Sequence, residues 1–152
     1  MYSVKVYNPT AYDKAAKRLR ERRQKKFEKA VKMAVSYIFD HTPVWTGNTL
    51  ANYRFTTTRP SMSYREIEPP DERGEINRAE AERIAWMNFA RAKVDPDRPF
   101  YISNNTTYTD WRTGAEATFE DLERGNLSKR VPATGIFFGA QQYISAFLKA
   151  MS

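Results

Sequence analysis

The chain has 152 residues, 41% hydrophobic, 14% aromatic and 28% charged, with a net charge of +7 and no cysteine. This length suits one domain with a real core, and the composition is that of a globular chain, not a disordered one. The missing thiol excludes a disulfide framework, a cysteine nucleophile and a cysteine-ligated zinc site; no apolar run reaches the ~18 residues of a membrane span, and "MYSVKVYNPT" has no signal-peptide core, so neither insertion nor secretion is expected.

Val4 and Val6 alternate with polar neighbours in "SVKVY" and predict a short strand. A long helix over about 10–40 follows, with Thr10 as its cap, Asp13 near the positive end of its dipole and no Gly or Pro before Pro43. Phe27, Val31, Ala34, Val35, Ile38 and Phe39 recur at spacings of three and four, so the second half carries a core-facing stripe. The first half offers only Tyr12, Ala16 and Leu19 before Arg23 interrupts.

The positive charge is concentrated on this helix. Residues 1–33 hold 11 Lys/Arg against 3 Asp/Glu, and the remainder hold 14 against 15. Lys14, Arg18, Arg22, Lys25, Lys29 and Lys32 follow one face at helical spacing. Such a stripe is a candidate contact for nucleic-acid phosphates or for a neighbouring subunit. A solvated or subunit-facing surface is the favoured reading: Glu21–Lys25 and Glu28–Lys32 have the spacing of helix-supporting pairs, no aromatics interleave, and no DNA-binding motif surrounds the stripe.

"HTPVWTGNTL" predicts a turn built on Pro43 and Gly47, and "TLANYRFTTT" a strand. Residues 59–76, with Pro60, Pro69, Pro70 and Gly74, read as a long mobile loop. Asn77 and Glu80 form a capping-box pattern ahead of a second helix over about 78–93, which "VDPDRP" ends. "FYISNN" and the residues around Tyr108 predict a strand, a tight turn on the double asparagine and a returning strand. Ile136, Ala140, Tyr143, Ile144, Phe147 and Met151 mark a last helix that Thr134 can cap, after Pro132. The order of elements predicts a single α+β domain: the long N-terminal helix packed on a small, mostly antiparallel sheet, with two further helices.

Catalytic constellations are not found. His41, the one histidine, reads as a helix C-cap or surface residue, and three carboxylates would have to join it to hold zinc. The carboxylates of "EIEPPDERGE" and "FEDLERG" lack the register of a calcium loop or of a hydrolytic pair, and Gly135 and Gly139 do not follow a phosphate-cradling pattern. No catalytic, cofactor or metal residue is assigned, and no enzyme is expected. Trp86 reads as core, whereas Trp45 and Trp111, the latter with Arg112, are candidate subunit contacts.

Two blocks read together are similar to a known family. "TPVWTGNTLANYRF" resembles segments of the type "TPVDTGNLRNSW", and "FYISNNTTY" with "LERGNLSKRVPATG" resembles "YISNNLPYAQRLEYGWSKQAPAGM", both from the neck or tail-completion proteins of tailed bacteriophages. The resemblance spans residues 42–56 and 100–137. Thr42, Pro43, Thr46, Gly47 and Asn48 stand at the first block's positions; Asn104, Asn105 and Tyr108, then Leu122, Glu123, Gly125, Ser128, Lys129, Pro132 and Gly135, stand at those of the second. Trp45 departs from the small or acidic residue usual in the family, Thr134 is an extra residue, and 109–121 is an insertion where the family has only a few residues. The resemblance implies a structural virion protein, made in the host cytoplasm, that assembles as a homo-oligomeric ring at the head–tail junction with other connector, neck and tail proteins. Genome DNA would pass there, a partner for non-specific contact; no membrane and no cofactor is implied. A nucleic-acid-binding protein acting through the basic helix is the alternative.

Overall fold

A computed structural model describes residues 3, 9–44, 47–67, 76–109, 116–123, 131–132 and 135–151. The fold is α+β. Helix α1 (Pro9–His41) is followed by a single turn α2 (Asn48–Ala51), strand β1 (Tyr53–Thr56), helix α3 (Ile76–Ala90) and strands β2 (Tyr101–Asn104), β3 (Thr107–Thr109) and β4 (Glu116–Thr118). A short helix α4 (Phe119–Glu123) and helix α5 (Ile136–Met151) complete it. The strand expected at Val4 and Val6 lies outside the described residues.

Pro9 occupies the first position of α1, where its missing N–H costs nothing and its fixed φ suits the helix. Thr10 therefore lies within the first turn instead of capping it, and Asp13 falls beyond that turn. At the other end, Thr42 Oγ1 donates to the Ile38 carbonyl at 2.6 Å and the Arg78 guanidinium reaches the carbonyls of Phe39 at 3.3 Å and Thr42 at 2.7 Å. These contacts satisfy acceptors that a helix end leaves without a backbone partner.

The core forms where the second half of α1 meets everything else. Val31, Val35, Ile38 and Phe39 are buried with Leu50, Tyr53, Ala81, Ala85, Phe119, Val131, Ile136 and Ala140. α1 packs chiefly along α5, and through Phe39 it also packs on the β1–β2 sheet and α3: the Phe39 ring lies 5.7 Å from Tyr53, 6.1 Å from Phe55 and 4.9 Å from Trp86. Trp86 is thus packed against the core, as expected.

Two antiparallel pairs replace a single sheet among the described residues: β1 with β2, in the register Tyr53↔Asn104 to Thr56↔Tyr101, and β3 with β4, from Thr107↔Thr118 to Thr109↔Glu116. The double asparagine is therefore not a hairpin turn. It is the crossing between two sheets, and neither residue has positive φ. Asn104 Oδ1 accepts from the Thr106 backbone N–H at 3.0 Å, a side-chain turn that re-aims the chain. "TLANYRFTTT" likewise splits into helical turn α2 and strand β1, because Gly47 starts a helix there. Asn77 lies inside α3, fully buried, and Glu80 pairs with Arg83 at 2.6 Å, so the capping box is not formed; α3 ends at Ala90, short of 93.

Candidate functional site

Two surfaces collect the residues singled out by sequence. The first is a hydrogen-bonded junction around β1. Tyr53 has no exposed surface and its hydroxyl lies 2.8 Å from Thr42 Oγ1. Thr42 has already given its proton to the Ile38 carbonyl, which can only accept, so Tyr53 is the donor. Burial pushes the Tyr53 phenol well above its ordinary range. Gly47 sits at φ 93° before α2, and a Cβ there would stand 2.9 Å from that of Ala81; the left-handed turn and the close approach of α3 both require glycine.

Asn48 and Asn52 read out a neighbouring backbone. Asn48 Oδ1 accepts from the Ile67 N–H at 2.8 Å. Asn52 accepts from the Arg65 N–H and donates to the Arg65 carbonyl, both at 2.8 Å, the pairing a strand would have supplied. Ser103 repeats the arrangement on Ser61, accepting from its N–H at 3.1 Å and donating to its carbonyl at 2.9 Å, while Asn105 donates to the Met62 carbonyl at 3.1 Å. Residues 61–67, expected as the first part of a mobile loop, are instead pinned along the body by side chains; 68–75 lie outside the described residues. Asn104 joins the two family-like blocks, donating to the Thr49 carbonyl at 2.8 Å.

The second block closes on α5. The Glu123 carboxylate accepts from the Ile136 N–H at 2.6 Å and the Phe137 N–H at 3.3 Å, so a side chain from α4 caps α5. Gly135, at φ 92°, leaves room for it: a Cβ there would lie 2.5 Å from Glu123 Oε2. Burial raises the Glu123 pKa from the usual carboxylate range, and the two N–H bonds oppose that rise. Thr134, the expected cap, lies outside the described residues, as do Trp45, Thr46, Trp111, Arg112, Gly125, Ser128 and Lys129. Tyr108 is in β3, Leu122 in α4, and Pro43 and Pro132 are half-buried. His41 caps α1, its Nδ1 donating to the Tyr37 carbonyl at 2.8 Å with the two rings stacked at 3.9 Å. Among the described residues no cluster of His, Asp or Glu could hold a metal.

The second surface is the basic face of α1. Lys14, Arg18, Arg22, Lys25, Lys29 and Lys32 are all exposed. The pairs Glu21–Lys25 and Glu28–Lys32 expected from their spacing do not close: Glu28 accepts instead from Gln24 at 2.5 Å, and the ion pair formed by α1 to the described body is Arg23–Asp97, at 2.9 Å on another face. Lys29 Nζ stands 5.5 Å over the Phe147 ring of α5.

Asn52, Arg78, Ser103 and Phe119 do structural work that sequence reading missed, because their partners are backbone groups or rings far along the chain. Asn52 alone left a trace, four residues after Asn48 on one side of a turn. Comparison with models of protein families, with curated proteins and with solved structures finds no match to this chain.

Proposed function

We propose that the chain is a structural virion protein of the bacteriophage neck, a tail-completion or connector component that forms a homo-oligomeric ring joining the portal complex to the tail. One observation carries this reading: the two family-like blocks fold into one junction, with β1 of the first paired to β2 of the second. Within it Thr42, Asn48, Asn104 and Glu123 spend their polar atoms on holding chain to chain. Residues used this way build a rigid part. The long helix meanwhile extends well past the core, with Tyr12 and Leu19 exposed at 72% and 65%, a surface available to neighbouring copies.

The test is the mass of the purified chain by light scattering, followed by electron microscopy of virions labelled with an antibody to it. Label at the head–tail junction, with a mass that is a multiple of the chain, is expected. A monomer absent from virions rejects the reading.

A further inference from the structure

We infer that the outer face of α1 is a binding site for the phosphate backbone of duplex nucleic acid. At about 100° per residue, the positions of α1 between 14 and 32 that fall within an arc of about 80° are 14, 18, 22, 25, 29 and 32. Each is Lys or Arg, so this strip holds no acidic and no neutral residue. It runs straight for about 27 Å at 1.5 Å per residue. The apolar stripe of Phe27, Val31, Ala34 and Ile38 lies on the opposite side, so the strip faces away from the apolar core that α1 covers, although one of its cations, Lys29, has its Nζ 5.5 Å over the Phe147 ring of α5.

Bare cations at this density repel one another, and a folded chain ordinarily relieves the repulsion with internal carboxylates. Here none of the six forms an ion pair with a described residue, although Glu21 and Glu28 stand at pairing distance in sequence. With no ion pair to a described carboxylate, the six ammonium and guanidinium groups, Lys29 with the Phe147 ring beneath it, are available to an external polyanion. A rigid, straight row of point charges without exposed base-stacking rings between them matches phosphates and offers nothing to read base edges, so binding is to backbone and independent of sequence. The missing interleaved aromatics argue against single-strand recognition, not against this mode.

The test uses the full chain and a labelled 24-base-pair DNA duplex of arbitrary sequence, with fluorescence anisotropy across a salt series. Six phosphate contacts give a slope of log K on log salt of about −5, a loss of roughly a thousandfold between 50 and 200 mM. Two unrelated duplex sequences bind within about threefold of each other, because only the charge of the backbone is read. The triple variant Arg18→Glu, Arg22→Glu, Lys25→Glu abolishes binding, whereas the equal charge change Arg59→Glu, Arg91→Glu, Lys93→Glu leaves most of it. If reversal unfolds the chain by circular dichroism, the Gln triple at 18, 22 and 25 takes its place and must lower the slope to about half. A slope shallower than about −2, equal loss in both triples, or no binding overturns the inference. So does a salt-sensitive self-association that the α1 triple removes while duplex does not bind, which makes the strip a protein contact. Particles that carry the chain at the junction although it ignores duplex overturn this inference alone; duplex binding by a chain absent from particles overturns only the neck reading.

Discussion

Gly47 holds φ 93° with α3 against its back, so any side chain there meets two penalties. Gly47→Val adds a left-handed backbone cost of about 1–3 kcal/mol for a non-glycine residue, and its Cβ must also displace α3 at Ala81. An unfolding free energy from urea denaturation lowered by at least about 2 kcal/mol is expected; an unchanged free energy would mean that Gly47 does not hold a left-handed turn against α3. Glu123 makes a prediction of a different kind. Its folded pKa is raised, so between the unfolded and folded values the folded state holds the extra proton, and this group's contribution to stability falls as pH rises through the carboxylate range. Glu123→Gln keeps an acceptor for Ile136 and removes that titration; its stability, measured by denaturation from pH 4 to 7, should decline less with pH than that of the parent. Glu123→Ala removes the cap as well and should cost about 1 kcal/mol. If the two variants and the parent share one pH profile, the carboxylate does not titrate in this setting.

Among the elements, the segment 109–121 has the least expected role. It holds the candidate subunit contacts Trp111 and Arg112, which lie outside the described residues. The described part of 109–121 supplies β4 and the start of α4, and Phe119 is buried with its ring 5.7 Å from Tyr53 and 5.1 Å from Phe137. Phe119→Ala should therefore destabilise the monomer by about 3–5 kcal/mol, read from thermal or denaturant unfolding. Deleting 110–118 would remove β4 and should unfold the chain, whereas a deletion confined to 110–115 keeps both strands. The helices α1, α3 and α5 were legible because a 3.6-residue apolar period is a local signal. The strand pairing was not: the asparagine pair looks like a hairpin turn locally, and only the long-range partners of Asn104 and Phe119 turn it into a crossing. Side chains that pin residues 61–67 leave no periodic trace, so that segment reads as loop although seven hydrogen bonds from or to Asn48, Asn52, Ser103, Asn105 and Arg54 hold it.

At the scale of the whole molecule, charge and packing divide α1 into two parts. The strip of cations was legible in the sequence, but its lack of ion pairs among the described residues was not, since Glu21 and Glu28 stand where pairing would be expected. The division predicts independent behaviour. From Thr10 to Leu19 every side chain except that of Ala16 is exposed, whereas Ile38 is 2% exposed in the core. A proline at Leu19 breaks helix hydrogen bonds at a cost of about 3 kcal/mol or more, but that cost falls on a half of the helix that the body does not need. Leu19→Pro should lose helical circular dichroism while the cooperative thermal midpoint moves by no more than about 2 °C, because fraying of an exposed turn is not coupled to core opening. Ile38→Ala, by contrast, removes buried methyl groups at about 2–5 kcal/mol and should lower the midpoint by roughly 4–20 °C. If both substitutions lower the midpoint alike, the N-terminal half of α1 is integral to the folded core, and the exposed basic strip is stabilised by the body instead of standing beyond it.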